Sequence, residues 1–317
     1  MPYFLGIDTS NYTTSVALYD SDARKVFHRK KLLSVKQGSI GLKQSDAVFA
    51  HIKQLPGLVS SLVEETGVFS LRAVGVSVRP RDVEGSYMPC FLTGNTAASC
   101  IASIQGIPKY EFSHQAGHIM AALFSAGKME FLQREFLCFH VSGGTTECLH
   151  VHPLKNGVFD VSIVARSLDL KAGQAIDRVG VMLGLPFPAG KYLDELSQKS
   201  NRVFRIHPTM KGADCCLSGI ENQCKKRMEQ GEKPEDIARY CIESVRAAIE
   251  EMTRQAFLIC GELPVVYAGG VMSNSNIREY MTKRYPAFFA KPEFSSDNAA
   301  GIALLTASME RGDGACP

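Results

Sequence analysis

Two histidines stand four residues apart in His114-Gln115-Ala116-Gly117-His118. On an α-helix, positions i and i+4 share a face, so both imidazoles can reach one metal ion, although two ordinary polar helix residues would show the same spacing. The metalloprotease pattern needs a glutamate after the first histidine to activate metal-bound water. Gln115 is an amide and cannot be that base, so hydrolysis by this route is excluded. Asp297, in Phe294-Ser295-Ser296-Asp297-Asn298, could complete a metal site as a carboxylate ligand or simply cap the alanine-rich helix that follows. Two glycine-rich turns add a second chemistry. Ser142-Gly143-Gly144-Thr145-Thr146 could present bare backbone amides and hydroxyls to a phosphate, though glycine and serine also dominate plain hairpin turns. Ala268-Gly269-Gly270-Val271 lies between a strand and a helix, where a helix N-terminus attracts anions. Asp177, in Gly173-Gln174-Ala175-Ile176-Asp177-Arg178, could accept from ribose hydroxyls or remain a solvated helix carboxylate.

Alternating apolar positions predict strands at 3–7 and 14–19 around the small polar turn Asp8-Thr9-Ser10-Asn11-Tyr12-Thr13. The same design recurs at 135–141 and 147–151 around Ser142–Thr146. Two such hairpins about 130 residues apart imply two related halves, each a sheet with helices packed on it. Helices are expected at 45–66, 94–105, 173–183, 191–200, within 233–260, at 274–285 and after Asp297; buried strands are expected at 71–78 and 263–267, and a further strand at 159–164. The class is α/β. The boundary is expected near 127–134, dividing the chain into 1–130, with the histidine helix, and 131–317, with the nucleotide loops.

At 317 residues, with 45% apolar and 21% charged residues, the chain is long enough for two domains and excludes disordered and collagen-like classes. The net charge, 35 minus 32 or +3, is too small to argue nucleic-acid binding by itself. No apolar run of about 18 residues exists and Asp8 interrupts any signal-like segment, so a cytoplasmic location without membrane contact is expected. Ten scattered cysteines without a C-x-x-C pair read as small buried hydrophobes.

Taken in order, these segments resemble the TsaD family, also called Gcp or Kae and formerly O-sialoglycoprotein endopeptidase. Its members transfer a threonylcarbamoyl group to an adenosine beside the tRNA anticodon. The resemblance rests on His114-x-x-x-His118, Val141-Ser142-Gly143-Gly144-Thr145-Thr146, Ala172-Gly173-Gln174-Ala175-Ile176-Asp177, Leu183-Gly184-Leu185-Pro186, Ala268-Gly269-Gly270-Val271 through Asn274, and Asp297-Asn298. It implies the actin-like ATPase (ASKHA) fold with a nucleotide cleft between the halves. It also implies one divalent metal ion, iron or zinc, on His114, His118 and Asp297. His140, Val141, Ser142, Gly143 and Gly144 would meet phosphate and substrate, Asp177 would hold ribose, Gly190 would line the pocket, and Gly269, Gly270 and Asn274 would contact the nucleotide. The implied ligand is ATP or threonylcarbamoyl-adenylate, and the implied partners are tRNA and either a TsaB-like protein or a second copy.

The chain departs from the family as a divergent paralogue would. Asn11-Tyr12-Thr13-Thr14 replaces a Cys-Asp-Glu-Thr run, 79–85 replaces a Gly-Pro-Gly segment, Thr145 replaces a histidine and Gln174 a glutamate. The resemblance therefore implies metal-dependent threonylcarbamoyl or related carbamoyl transfer to tRNA. The alternative is a nucleotide- and metal-binding paralogue with a different acceptor or a non-catalytic partner role. A sugar or acetate kinase of the same architecture would leave the two histidines unexplained.

Overall fold

The computed structural model describes residues 3–10, 12–34, 42–67, 70–154, 158–295 and 299–311. The chain forms two compact units, one of Met1–Arg134, Pro153–Phe159 and Glu293–Pro317, the other of Glu135–His152 and Asp160–Pro292.

In the first unit, strands β1 (Tyr3–Asp8), β2 (Thr13–Asp20), β3 (Lys25–Leu32), β4 (Leu71–Arg79) and β5 (Lys109–Ser113) form one sheet in the order β3-β2-β1-β4-β5. β1 runs antiparallel to β2 and parallel to β4. The helices are α1 (Gln44–Thr66), α2 (Phe91–Gln105) and α3 (His114–Ala126). Because side chains alternate along a strand, Leu5 and Ile7 of β1 face the same way, and they pack with Val74 and Val76 of β4, Leu55 and Leu62 of α1, and Ala98 and Ala102 of α2. The intervening residues on the other face are Gly6 and Gly75.

In the second unit β6 (Phe136–Val141), β7 (Thr146–Pro153) and β8 (Phe159–Arg166) lead into α4 (Ala172–Met182) and α5 (Gly190–Ser197). A two-stranded ribbon, β9 (Thr209–Lys211) and β10 (Asp214–Cys216), precedes α6 (Ser218–Glu229) and the long α7 (Pro234–Cys260). Strand β11 (Val265–Ala268), helix α8 (Ser275–Arg284) and strand β12 (Ala287–Phe289) follow, and the sheet order is β12-β11-β6-β7-β8. Read from β8, this repeats the strand order of the first sheet: β6 runs antiparallel to β7 and parallel to the crossover strand β11, as β1 does with β2 and β4. Phe139, Tyr267 and Phe289, in register on three adjacent strands, stack with ring centroids 4.9 and 5.2 Å apart, and the Tyr267 hydroxyl meets Thr253 at 2.9 Å.

The last helix, α9 (Ala300–Arg311), belongs to the first unit, unlike the single cut at 130 expected from the sequence. The reason is steric fit. A Cβ on Gly6 would stand 2.5 Å from Ala299 O and Ala303 N, and one on Gly301 would stand 1.8 Å from Gly117 O in α3. Backbone therefore meets backbone across both contacts, which only residues without side chains allow. The hydroxyls of Thr306 and Ser308, buried by this packing, donate back to Ile302 O and Leu304 O.

Most described cysteines are buried as expected, and burial pushes Cys138 up to about 12 and Cys90 and Cys215 to about 11, so these thiols stay protonated. Among the described residues, no helix is long and apolar enough to cross a membrane. The edge strand β3 was not expected: Lys25, His28, Arg29, Lys30 and Lys31 obscure its alternation, as charges on sheet edges commonly do.

His51 of α1 is fully buried, with Nδ1 2.8 Å from Thr14 Oγ1. The Thr14 hydroxyl donates to Gln54 Oε1, and Gln54 Nε2 donates to Leu32 O, so the proton between Thr14 and His51 belongs to Nδ1. Nε2 is a buried acceptor with no hydrogen-bond partner. Burial lowers His51 to about 4, against the opposing pull of Asp8. The unfolded chain thus takes up this proton first, and stability from neutral His51 is complete above about pH 6.5 and is lost as pH falls toward 4. Urea unfolding should show a loss on the order of 3 kcal/mol across that window. His51→Gln, which does not titrate, should flatten the dependence; an unchanged slope would assign it to other groups.

Candidate active site

Asp8, at the end of β1, is buried, and its carboxylate is held by four donors. Ser10 N and Ser77 Oγ donate to Oδ1 at 3.1 and 2.5 Å, while Ser10 Oγ and His114 Nδ1 lie 3.3 and 2.9 Å from Oδ2. With Nδ1–H given to the carboxylate, His114 Nε2 keeps its lone pair, and it lies 2.9 Å from His118 Nε2. Two nitrogens each about 2.1 Å from one ion in adjacent coordination positions are about 3 Å apart, so the pair fits a shared metal. Asp8 engages the opposite nitrogen of His114 and so orients that ring instead of joining the same ligand set; a carboxylate behind a ligating imidazole fixes its tautomer and raises its basicity. Asp297, the expected third ligand, lies outside the described residues, as do Asn11 and Asn298.

The altered loop at 79–85 anchors the histidine helix. Ser113 caps α3 by accepting from Ala116 N at 3.1 Å, Ser113 Oγ donates to Asp82 Oδ2 at 2.6 Å, and Gln115 N donates to Pro80 O at 3.0 Å. Arg79 in turn pairs with Asp82. The turn after Asp8 carries no carboxylate at 12–14: Tyr12 is 39% exposed, whereas Thr13 and Thr14 are buried.

The other expected residues all lie in the second unit. His140 and Val141 end β6 and lead into the turn at Ser142. Ser142 Oγ accepts from Gly144 N and Thr145 N at 3.3 and 3.1 Å, so the hydroxyl holds the turn and those two amides are already engaged. Ser142 O also accepts from Gly173 N at the start of α4. Asp177 Oδ1 accepts from Ala189 N at 2.8 Å, just before Gly190 opens α5, so part of this carboxylate serves the fold. Asn274 caps α8 through Oδ1 to Ile277 N, leaving Nδ2 for other contacts. Gln174 closes the N-terminus of α4 by accepting from Lys171 N. Gly143, Gly144, Gly190 and Gly270 have no atom within 4 Å of where a Cβ would lie, so the protein's own packing does not require them to be glycine. Bare backbone facing open space at four positions is what close approach of a phosphate or nucleotide would use.

Two features escaped the sequence reading. Asp8 was recognisable only as a turn residue, because its partners come from positions 10, 77 and 114. Arg227, in a basic run that gives no sign of its neighbours, pairs with Glu232 and lies over the rings of Phe204 and Tyr240, so its charge is committed to packing.

Solved structures share this architecture across nearly the whole chain. The activator of the 2-hydroxyisocaproyl-CoA dehydratase from Clostridium difficile, with bound ADPNP, has a TM-score of 0.55 at 15% identity, covering 98% of this chain and 96% of that one. HypF of T. kodakarensis gives 0.60 at 13%, covering 98% of this chain and 47% of that one. Together with the repeated sheet plan, these likenesses define the class as the actin-like ATPase fold. Residues 26–304 match the family TsaD, tRNA N6-adenosine threonylcarbamoyltransferase, and the chain belongs to that family. It is 28% identical over 306 residues to the tRNA N6-adenosine threonylcarbamoyltransferase of Methanopyrus kandleri, covering 94% of this chain and 85% of that protein.

Gly269 and Gly270 separate fold from site. Gly269 has φ of 99°, and a Cβ there would stand 2.1 Å from Val141 O, whereas one on Gly270 would meet open space. Gly269→Val should therefore lower the melting temperature sharply, while Gly270→Val should melt within a few degrees of the parent. Equal destabilisation of the two variants in thermal denaturation would contradict this division.

Proposed function

We propose that the protein transfers a threonylcarbamoyl group from an adenylate to the amine of the adenosine beside the anticodon of tRNA, with the help of one divalent metal ion. Family membership supports the transferase class. The observation that carries the metal is the convergence of His114 and His118 in front of the buried Asp8 carboxylate.

In this reading His114 and His118 hold the ion with Asp297, which stands two residues before Ala299 in the chain. The bound ion supplies Lewis-acid polarisation of the acyl carbonyl. The adenosine amine forms a bond to the carbonyl carbon, the carbon–oxygen bond to the phosphate breaks, AMP leaves with the electron pair, and the proton lost by the amine passes to water. Asp8 keeps the proton on His114 Nδ1 throughout, so that Nε2 remains a ligand. The nucleotide part of the donor lies on the open backbone of Gly143, Gly144 and Gly270, with His140, Val141 and Ser142 beside it. The remaining oxygen of Asp177 is available to a ribose hydroxyl, Asn274 Nδ2 can donate to the nucleotide, and Gly190 leaves room at the pocket wall.

Loss of one imidazole should weaken metal binding by more than about tenfold, since changes in outer-shell partners alone cost that much. His118→Ala should accordingly lose both its metal, by elemental analysis, and formation of the modified nucleoside from threonylcarbamoyl-adenylate and unmodified tRNA. Metal content equal to the parent would remove His118 from the site.

The missing carboxylates at 12 and 13 bear on rate. A positioned base for the amine proton is worth roughly 10²–10⁴-fold, so transfer by this chain alone should be slow. Tyr12→Asp restores a carboxylate at an exposed position and should raise the rate in the same assay. No gain in a folded, metal-bound variant would show that the family's acidic residue is not what limits turnover.

A further inference from the structure

A second cluster of metal-binding side chains stands at the open end of the β6–β7 hairpin, the end opposite the Ser142 turn. Glu135 directly precedes β6, and the pairing of Phe136 with Val151 sets Glu135 across from His152. His150, two residues earlier on β7, faces the same side of the sheet. Glu135 Oε2 is 3.0 Å from His150 Nε2 and Oε1 is 3.4 Å from His152 Nδ1. One ligand atom from each of the three residues lies within 4.8 Å of the others. Donors about 2.0–2.1 Å from a common ion are about 3.0–3.4 Å apart, so the separations that now serve hydrogen bonding between Glu135 and the two imidazoles also suit a shared ion.

The site is also accessible and chemically selective. Side-chain exposure rises from 12% at His150 through 35% at His152 to 51% at Glu135, which leaves an entry path for a hydrated cation and open positions for water. Two imidazoles with one carboxylate favour zinc, nickel or copper over calcium or magnesium, which prefer all-oxygen ligand sets. His114 and His118 belong to the first unit and the cluster to the second, and strand rise puts the cluster about 20 Å along β6 from the glycine turn.

We propose that Glu135, His150 and His152 bind one divalent transition-metal ion and that this ion clips the open end of the β6–β7 hairpin. The ion joins the first residue of β6's approach to the last turn-free residues of β7, and so resists fraying of the two strands that carry the Ser142 turn.

The test uses tag-free, full-length protein stripped with chelator and titrated with Co²⁺, read by its electronic spectrum and by equilibrium dialysis, with Zn²⁺ as competitor. The parent should bind one equivalent more than His150→Ala/His152→Ala. Glu135→Gln and His152→Ala, at the more exposed positions, should keep the fold, shown by unchanged melting in chelator, and bind at least about tenfold more weakly. Zinc should raise the melting temperature of the parent more than that of the double variant. In a His118→Ala background one equivalent should remain, and it should vanish on adding His152→Ala and His150→Ala, so the result stands apart from the fate of the His114–His118 site. Equal stoichiometry and affinity in the parent, His152→Ala and the double variant would overturn the proposal.

Discussion

The first unit depends on backbone meeting backbone. Helix α9 lies against β1 and α3 at places where Gly6, Gly117 and Gly301 offer no side chain, and no other residue type fits at Gly6 or Gly301 without moving main-chain atoms. That contact fixes α3 relative to the end of β1, and the end of β1 carries Asp8. The distance between the carboxylate and His114 is therefore set by helix-to-sheet packing, with the Ser113–Asp82 and Gln115–Pro80 hydrogen bonds fixing the helix start. A close-packed interior transmits such constraints because it has little room to relax.

Asp8 shows how a buried charge becomes tolerable and useful together. Taken out of water unpaired it would be prohibitively costly, but two hydroxyls, an amide and an imidazole saturate both oxygens. The same saturation leaves the carboxylate no freedom to move, so the imidazole in front of it is held in one tautomer and one orientation. His51, nearby in the same unit, illustrates the opposite case. Its environment supplies one partner and no counter-charge in contact, and the ring stays neutral.

Much of this was legible in the residues. The two hairpins, the long helices and the strand before Gly269 follow from apolar periodicity, which local sequence carries directly. The shared face of His114 and His118 follows from helical spacing, and the observed helix begins at His114 itself. What local pattern could not reveal are relations between distant positions. Charged β3 hides its alternation, α9 joins a unit whose other residues lie far earlier in the chain, and Ser142 Oγ folds inward to hold its own turn where a free hydroxyl had been expected. The Glu135, His150 and His152 cluster is of the same kind, since it arises only from strand register.

The membership of α9 also orders the birth of the molecule on the ribosome. Residues up to Arg134 leave the exit tunnel with the glycine faces of β1 and α3 uncovered, and their covering helix begins at Ala300. At synthesis rates of about 5–20 residues per second, that gap lasts roughly ten to thirty seconds. The second unit draws all its strands and helices from 135–292 and can condense while the first is still waiting. The nascent chain thus matures from its middle outward, with the glycine faces of β1 and β4 the last part of the first unit to be covered.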